Sequence, residues 1–216
     1  VLPLNSLLKY TNDKSLETPV WTSPRATASN LVKTSDPNGQ VEKFLFYRGI
    51  GNFQEPIKVE FNTKRQLVIT NSGEETLKYV MVYEKRKDGK AFVWGSNVIE
   101  SKKTIVLKAP TPAAHKATIS PEDELENFVS KLVEAGLYED EARAMLKTWD
   151  KSYFQHEGLK VFWIVPPAFT ESVLPLQINP KPKAIKRVLV GRSEVLSPEF
   201  EKELSEMGPA AFRDNY

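Results

Sequence analysis

Apolar and polar residues alternate over much of residues 41–108, the period-two pattern of strands with one buried and one wet face. Ile57, Val59 and Phe61 are separated by Lys58 and Glu60, and Leu77, Tyr79, Met81 and Tyr83 by Lys78, Val80 and Val82. The stretches 41–47, 67–70, 91–98 and 104–107 add further apolar, aromatic or β-branched runs, giving about six strands. Asn71-Ser72-Gly73 closes one of them. Asp88-Gly89 predicts a tight type I′ hairpin, because that turn needs positive φ and glycine supplies it at little cost. Helical periodicity is absent from this run, so the expectation is an antiparallel sandwich or open barrel.

The period changes at residue 120. Ser120 is a good N-cap, Pro121 suits the first helical position, and Glu122 and Asp123 favour the positive end of the helix dipole. Leu125, Phe128, Val129, Leu132 and Val133 then fall on one stripe, and Gly136 is placed to end the helix in the left-handed conformation. A second helix starts at Glu139-Asp140-Glu141 and carries Tyr138, Ala142, Met145, Leu146 and Trp149 on its apolar side. Two short amphipathic helices with so brief a link predict an antiparallel helical hairpin.

Beyond the hairpin, 159–165 is almost continuously apolar, as a central strand covered on both faces would be. Pro166-Pro167 stop it, one helical turn is expected near Phe169, and 185–195 reads as a strand bent or bulged at Gly191. Ser197-Pro198-Glu199 repeats the earlier helix-start pattern and opens a last short helix that Gly208 would cap. Residues 1–40, with prolines at 3, 19, 24 and 37, read as an extended arm whose one large anchor is Trp21, within a short strand. The expected organisation is therefore α+β: an extended arm (1–40), an antiparallel β-sandwich-like domain (41–108), a Pro/Ala linker (109–119), and a helical hairpin with C-terminal strands and a short helix (120–216). The last part either packs on the β domain or completes its sheet as one co-folded unit.

Composition narrows the chemistry. The 216 residues include 30 basic and 28 acidic side chains, for a net charge of +2, too small and too interspersed for nucleic-acid binding. Lysine-rich patches at 85–87 and 181–187 read as solvated faces. No apolar run approaches the roughly 18 residues of a membrane span. The chain holds no Cys, which removes disulfides, thiolate metal sites and a Cys nucleophile, and leans towards an exported bacterial protein. It begins at Val1 without an initiator Met, as a processed form or a piece of a longer chain would.

Candidate chemistry is sparse. Tyr47-Arg48-Gly49-Ile50-Gly51-Asn52-Phe53 could turn backbone N–H groups and the Arg48 guanidinium towards an anion. With no helix following, though, it is no phosphate loop, and a turn with Arg48 in an ion pair is the simpler account. Successive acidic residues on a helix point about 100° apart, so Glu139, Asp140 and Glu141 cannot close on one ion. Asp150, Ser152 and His156 carry the residue types of a hydrolytic triad, but within seven residues of one another their geometry is poor. His156 with His115 makes a weak zinc pair. Phe44, Phe46, Tyr79, Tyr83, Phe92 and Trp94 could form a stacking platform for sugars, although their alternation favours the core.

Several stretches resemble a group of exported bacterial proteins of uncharacterised function. These are residues 46–53 (FYRGIGNF), 136–145 (GLYEDEARAM) with Trp149 and Phe154, Ile164-Val165-Pro166, Leu174-Pro175-Leu176, and 188–192 (VLVGR). The resemblance spans about residues 46–198 and implies that the β and helical halves belong together; it implies no activity. The favoured function is a non-enzymatic interaction or structural module in an extracytoplasmic assembly, with no cofactor or metal. Its protein partner or second copy would be engaged through the N-terminal arm or the tail at 209–216. The alternative is a small-ligand or carbohydrate-binding domain using Arg48, Trp149 and Trp163; a hydrolase built on Asp150, Ser152 and His156 ranks below both. The residues singled out for a ligand or interface are Trp21, Arg48, Asn52, Trp149, His156 and Trp163.

Overall fold

A computed structural model of the chain describes residues 18–37, 39–109, 120–198 and 200–206. Most of the expected linker, His115, the first part of the arm, the tail at 209–216 and the cap at Gly208 lie outside the described residues. Two compact units emerge, one containing residues up to Phe53 together with Asn127–Gln155, the other Gln54–Glu126 together with the residues from His156 onward.

The second unit is built on two antiparallel sheets. Strands β3 (Ile57–Phe61), β4 (Leu67–Asn71) and β7 (Thr104–Leu107) form one in the order β3-β4-β7. The other has the order β6-β5-β8-β9, with β5 (Leu77–Lys85), β6 (Ala91–Ile99), β8 (Gly158–Ile164) and β9 (Val190–Val195). The mixed helix and strand content with antiparallel sheets makes this an α+β protein. Sequence-distant strands share the larger sheet: Val82 lies opposite Val161 and Met81 opposite Phe162. β5 and β8 are its inner strands, and Tyr79, Val80, Met81, Val82 and Tyr83 on one, and Leu159 to Trp163 on the other, are buried without alternation. Ile57, Leu67 and Ile69 of the smaller sheet join Leu77, Val80, Val82, Val161 and Trp163 of the larger in one hydrophobic cluster.

Turn chemistry fixes the hairpins. Between β5 and β6 the Gly89 N–H donates to the Arg86 carbonyl and the Arg86 N–H to that of Lys90, both at 2.9 Å. Of the loop residues only Gly89 takes positive φ (80°), and Lys87 and Asp88 do not. This is a three-residue loop with a left-handed glycine, not the expected type I′ turn, which would need positive φ at both central residues. A buried amide locks the end of β4: Asn71 Nδ2 donates to the carbonyls of Glu75 (2.8 Å), Ile99 (3.0 Å) and Glu100 (3.1 Å), while Oδ1 accepts from the Gly73 N–H at 2.9 Å.

Gly191 departs from expectation. It sits in regular register opposite Trp163, and a Cβ there would lie 2.2 Å from a Trp163 ring carbon. A tryptophan covering a cross-strand glycine on an edge strand, rather than a bulge, explains the missing side chain.

In the first unit, residues 19–25 form helix α1 (Pro19–Arg25) where the arm was expected to be extended. Pro19 at the first helical position starts it, and Arg25 closes it on Glu42, its Nε 3.1 Å from both carboxylate oxygens. β1 (Val32–Lys33) and β2 (Val41–Glu42) make a two-residue ladder, so the strand expected over 41–47 stops after its second residue. Helix α2 (Pro121–Ala135) spans the division between the units. Its Ser120 cap forms as expected: the Asp123 N–H donates to Ser120 Oγ at 3.0 Å. Gly136 (φ 124°) ends it, with the Leu137 N–H returning to the Leu132 carbonyl. Helix α3 (Glu139–Asp150) packs against α1, runs into a π-helical turn at Lys151–Gln155 and buries Phe154. Later in the chain, α4 (Pro167–Val173) follows β8, and residues 200–206 are helical behind a Ser197 cap.

A candidate interaction surface at residues 45–52

Past β2 the chain keeps an apolar sequence but acquires no partner strand among the described residues. Phe44 stacks on Trp21 at 6.1 Å between ring centroids, and Phe46 meets the same ring edge-on at 5.3 Å. Contacts two residues apart on one anchor are what an extended chain produces, leaving Leu45 and Tyr47 on the opposite side. Those residues are 77% and 79% exposed, Phe46 is 55% exposed, and Ile50 is fully exposed. Among the described residues, none of the backbone N–H and C=O groups of 45–52 is hydrogen-bonded. Four large apolar side chains are thus exposed along a stretch whose peptide groups have no partner among the described residues. Isolated exposed hydrophobics are ordinary, but contiguous ones mark contact surfaces.

The loop's local chemistry does not make an anion site. Arg48 is exposed, without the expected ion pair among the described residues, and Asn52 is exposed as well. A Cβ at Gly51 would lie 2.5 Å from a ring carbon of Phe53, a side chain that is itself 42% exposed. The element that follows is β3, with no helix N-terminus to meet a phosphate.

Other residues singled out from the sequence are occupied structurally or exposed. Trp149, about one-third exposed, stacks on Tyr153 at 5.7 Å. Ser152 Oγ donates to the Trp149 carbonyl at 3.2 Å, and the Asp150 carboxylate accepts from Gln155 Nε2 at 3.3 Å. His156 is exposed, and its carbonyl receives Lys160 Nζ at 2.6 Å. Trp163, expected to face a ligand, is buried, with its Nε1 unpartnered and its ring against Gly191.

The acidic run has three separate duties. Glu139 pairs with Arg143, Asp140 accepts from the Ala28 N–H at 2.7 Å, and Glu141 accepts from the Tyr138 N–H at 2.9 Å. Among the described residues no three His, Asp or Glu side chains gather closely enough to hold a metal ion. The supposed aromatic platform is dispersed: Tyr79 and Tyr83 are core, Phe92 lies under Arg86, and Trp94 packs edge-on against Phe61 while donating to Glu84. An open cleft of about 870 Å³ at the start of α3 is lined by Ala28, Ser29, Tyr138 and the acidic run. One of about 430 Å³ lies between Pro56, Glu74, Pro166 and Phe169. Neither is lined by Arg48, Asn52, Trp149, His156 or Trp163.

A buried Tyr79–Glu124 pair and a buried lysine escaped sequence reasoning. The Tyr79 hydroxyl donates at 2.8 Å to Glu124, which is fully buried. Burial first, and the Glu124 carboxylate second, push the Tyr79 phenol far above its ordinary value. Lys160, only 1% exposed in β8, donates to the carbonyls of His156 and Glu157. Burial holds its ammonium below the usual lysine range, against the attraction of Glu194. Alternation signals a strand but cannot reveal that a lysine within it turns back to cap its own start. Among the described residues no helix is long and apolar enough to cross a membrane. Comparison of the chain with family models, curated proteins and solved structures found no match.

Proposed function

We propose that this chain is a non-enzymatic interaction module of an extracytoplasmic bacterial assembly, and that residues 45–52 belong to its contact surface. The two sheets, with their common hydrophobic cluster, would form a sandwich-like scaffold for it. The observation that carries this reading is the coincidence of exposed Leu45, Tyr47 and Ile50 with a backbone whose hydrogen-bonding groups find no partner among the described residues. An extended segment of that kind satisfies itself by adding to another strand. Complete absence of Cys and the small net charge fit a protein-binding role outside the cytoplasm better than a redox or nucleic-acid one. A hydrolytic role draws little support, since Ser152 Oγ donates to a backbone carbonyl and Asp150 is engaged by Gln155.

The test is the triple variant Leu45→Asp, Tyr47→Asp, Ile50→Asp. It should keep the wild-type circular dichroism and melting temperature, because the side chains replaced are exposed. It should lose association, followed by light scattering of the pure chain and by cross-linking in an envelope fraction. Wild-type behaviour in both assays would refute the reading.

A further inference from the structure

We propose that the partner at this surface is a second copy of the chain, joined by antiparallel pairing of residues 44–48 with the same residues of the other copy about a two-fold axis at Phe46. The inference rests on the interaction-module reading and names its partner. A two-fold contact uses the same patch on both copies, so the patch must complement itself. Antiparallel pairing centred on Phe46 places Leu45 opposite Tyr47, and Phe44 opposite Arg48. Apolar residues then meet, and the segment's single cation faces an aromatic ring, as Arg86 already does over Phe92 at 4.0 Å. No like charges oppose, since Lys43 would face Gly49. Registers shifted towards the C-terminus bring glycine or a second copy of Arg48 nearer the centre, and those shifted towards the N-terminus draw in Lys43, whose carbonyl already accepts from Ser29 Oγ.

A two-stranded ribbon alone is marginal in water and needs a helix or further strands on one face. Here each copy brings that cover, because Trp21 of α1 already lies on the Phe44 and Phe46 side. Leu45 and Tyr47 of both copies would cluster on the opposite side, flanked by the two Ile50 side chains. The surface available is of the right order: these side chains expose on the order of 500 Å² per copy, against roughly 800 Å² per partner in a standard interface. The dimer should therefore be a concentration-dependent one.

Sedimentation velocity of the full chain across the micromolar range tests this. Wild type is expected to shift from monomer to dimer. Leu45→Glu alone and Tyr47→Lys alone should each weaken the dimer, by roughly tenfold or more over its two symmetric pairs. The double variant should recover it, because the new carboxylate of one copy faces the new ammonium of the other. Since the chain has no Cys, Phe46→Cys should form a disulfide-linked dimer on mild oxidation. A wild type that stays monomeric at every concentration, or a double variant no better than the singles, overturns the second-copy proposal. If that monomer still loses an envelope partner when Leu45, Tyr47 and Ile50 become Asp, the interaction-module reading survives; if it never had one, both fall.

Discussion

Gly191→Ala is the sharpest test of how the larger sheet is packed. The added methyl would sit 2.2, 2.3 and 2.7 Å from three ring carbons of Trp163, well inside the roughly 3.5–4.0 Å at which carbon atoms attract. Backbone conformation is not the obstacle, because Gly191 has no positive φ. Relief requires Trp163 to move, and that side chain is 2% exposed within the main core cluster. Overpacking of this kind costs about 1–3 kcal/mol, and with the ring enclosed we expect the upper end, about 3 kcal/mol. For a chain of this length that corresponds to a melting temperature lower by about 6–12 °C. Urea denaturation followed by tryptophan fluorescence, together with differential scanning calorimetry, would measure it. The cause is isolated by a double-mutant cycle. In a Trp163→Leu background the same substitution should cost less than about 1 kcal/mol, a coupling of about 2 kcal/mol. Gly49→Ala, where a methyl meets nothing within 4 Å, is the neutral control. A Gly191→Ala protein within about 0.5 kcal/mol of wild type would refute the packing account, as would additivity in the cycle.

Two further outcomes follow from the buried polar groups. Asn71→Asp exchanges a donor shared by three carbonyls for an acceptor in a fully buried position. It should cost about 3 kcal/mol or more at neutral pH, with partial recovery in mild acid where the new carboxyl regains a proton; a shift below about 1 kcal/mol in urea at pH 7 would contradict it. Lys160 predicts a pH dependence. Its folded pKa lies below the ordinary lysine value of 10.5, so between the two values the unfolded chain holds a proton that the folded chain has released. Stability contributed by this group therefore rises with pH through that window and is at its lowest below it. Unfolding free energies measured at alkaline pH should climb in wild type relative to Lys160→Met; parallel curves would show that Lys160 is not the source.

Much of the scaffold was legible in the sequence because short-range physics dictates it. Alternation at Ile57, Val59 and Phe61 marked β3, the unbroken run after Leu159 marked an inner strand, and Ser120 and Gly136 marked the ends of α2 at both caps. Where the sequence misled, tertiary context decided. Residues 19–25 have no apolar periodicity, and Pro24 within the segment argued against a helix, yet Arg25 holding Glu42 and the packing on α3 stabilise one. Residues 43–47 have strand composition but no strand to pair with among the described residues, and periodicity cannot announce a missing neighbour. That mismatch is what brings the candidate surface to view. Trp163 drew attention as a ligand contact because exposure is not encoded locally; only its register opposite Gly191 shows that it fills the space of an absent side chain.

The pairing of β5 with β8 has a cost during biosynthesis. β5 and β6 can close as a hairpin as soon as they leave the ribosome, but the other edge of β5 finds its neighbour only after residues 86–157 have been made. At roughly 5–20 residues per second that is a delay of several seconds, during which Val80 and Val82 lie along an open edge prone to pairing with other nascent chains. Polypeptides truncated before Gly158 should consequently aggregate or require a holding chaperone, whereas those released after Val195 should not.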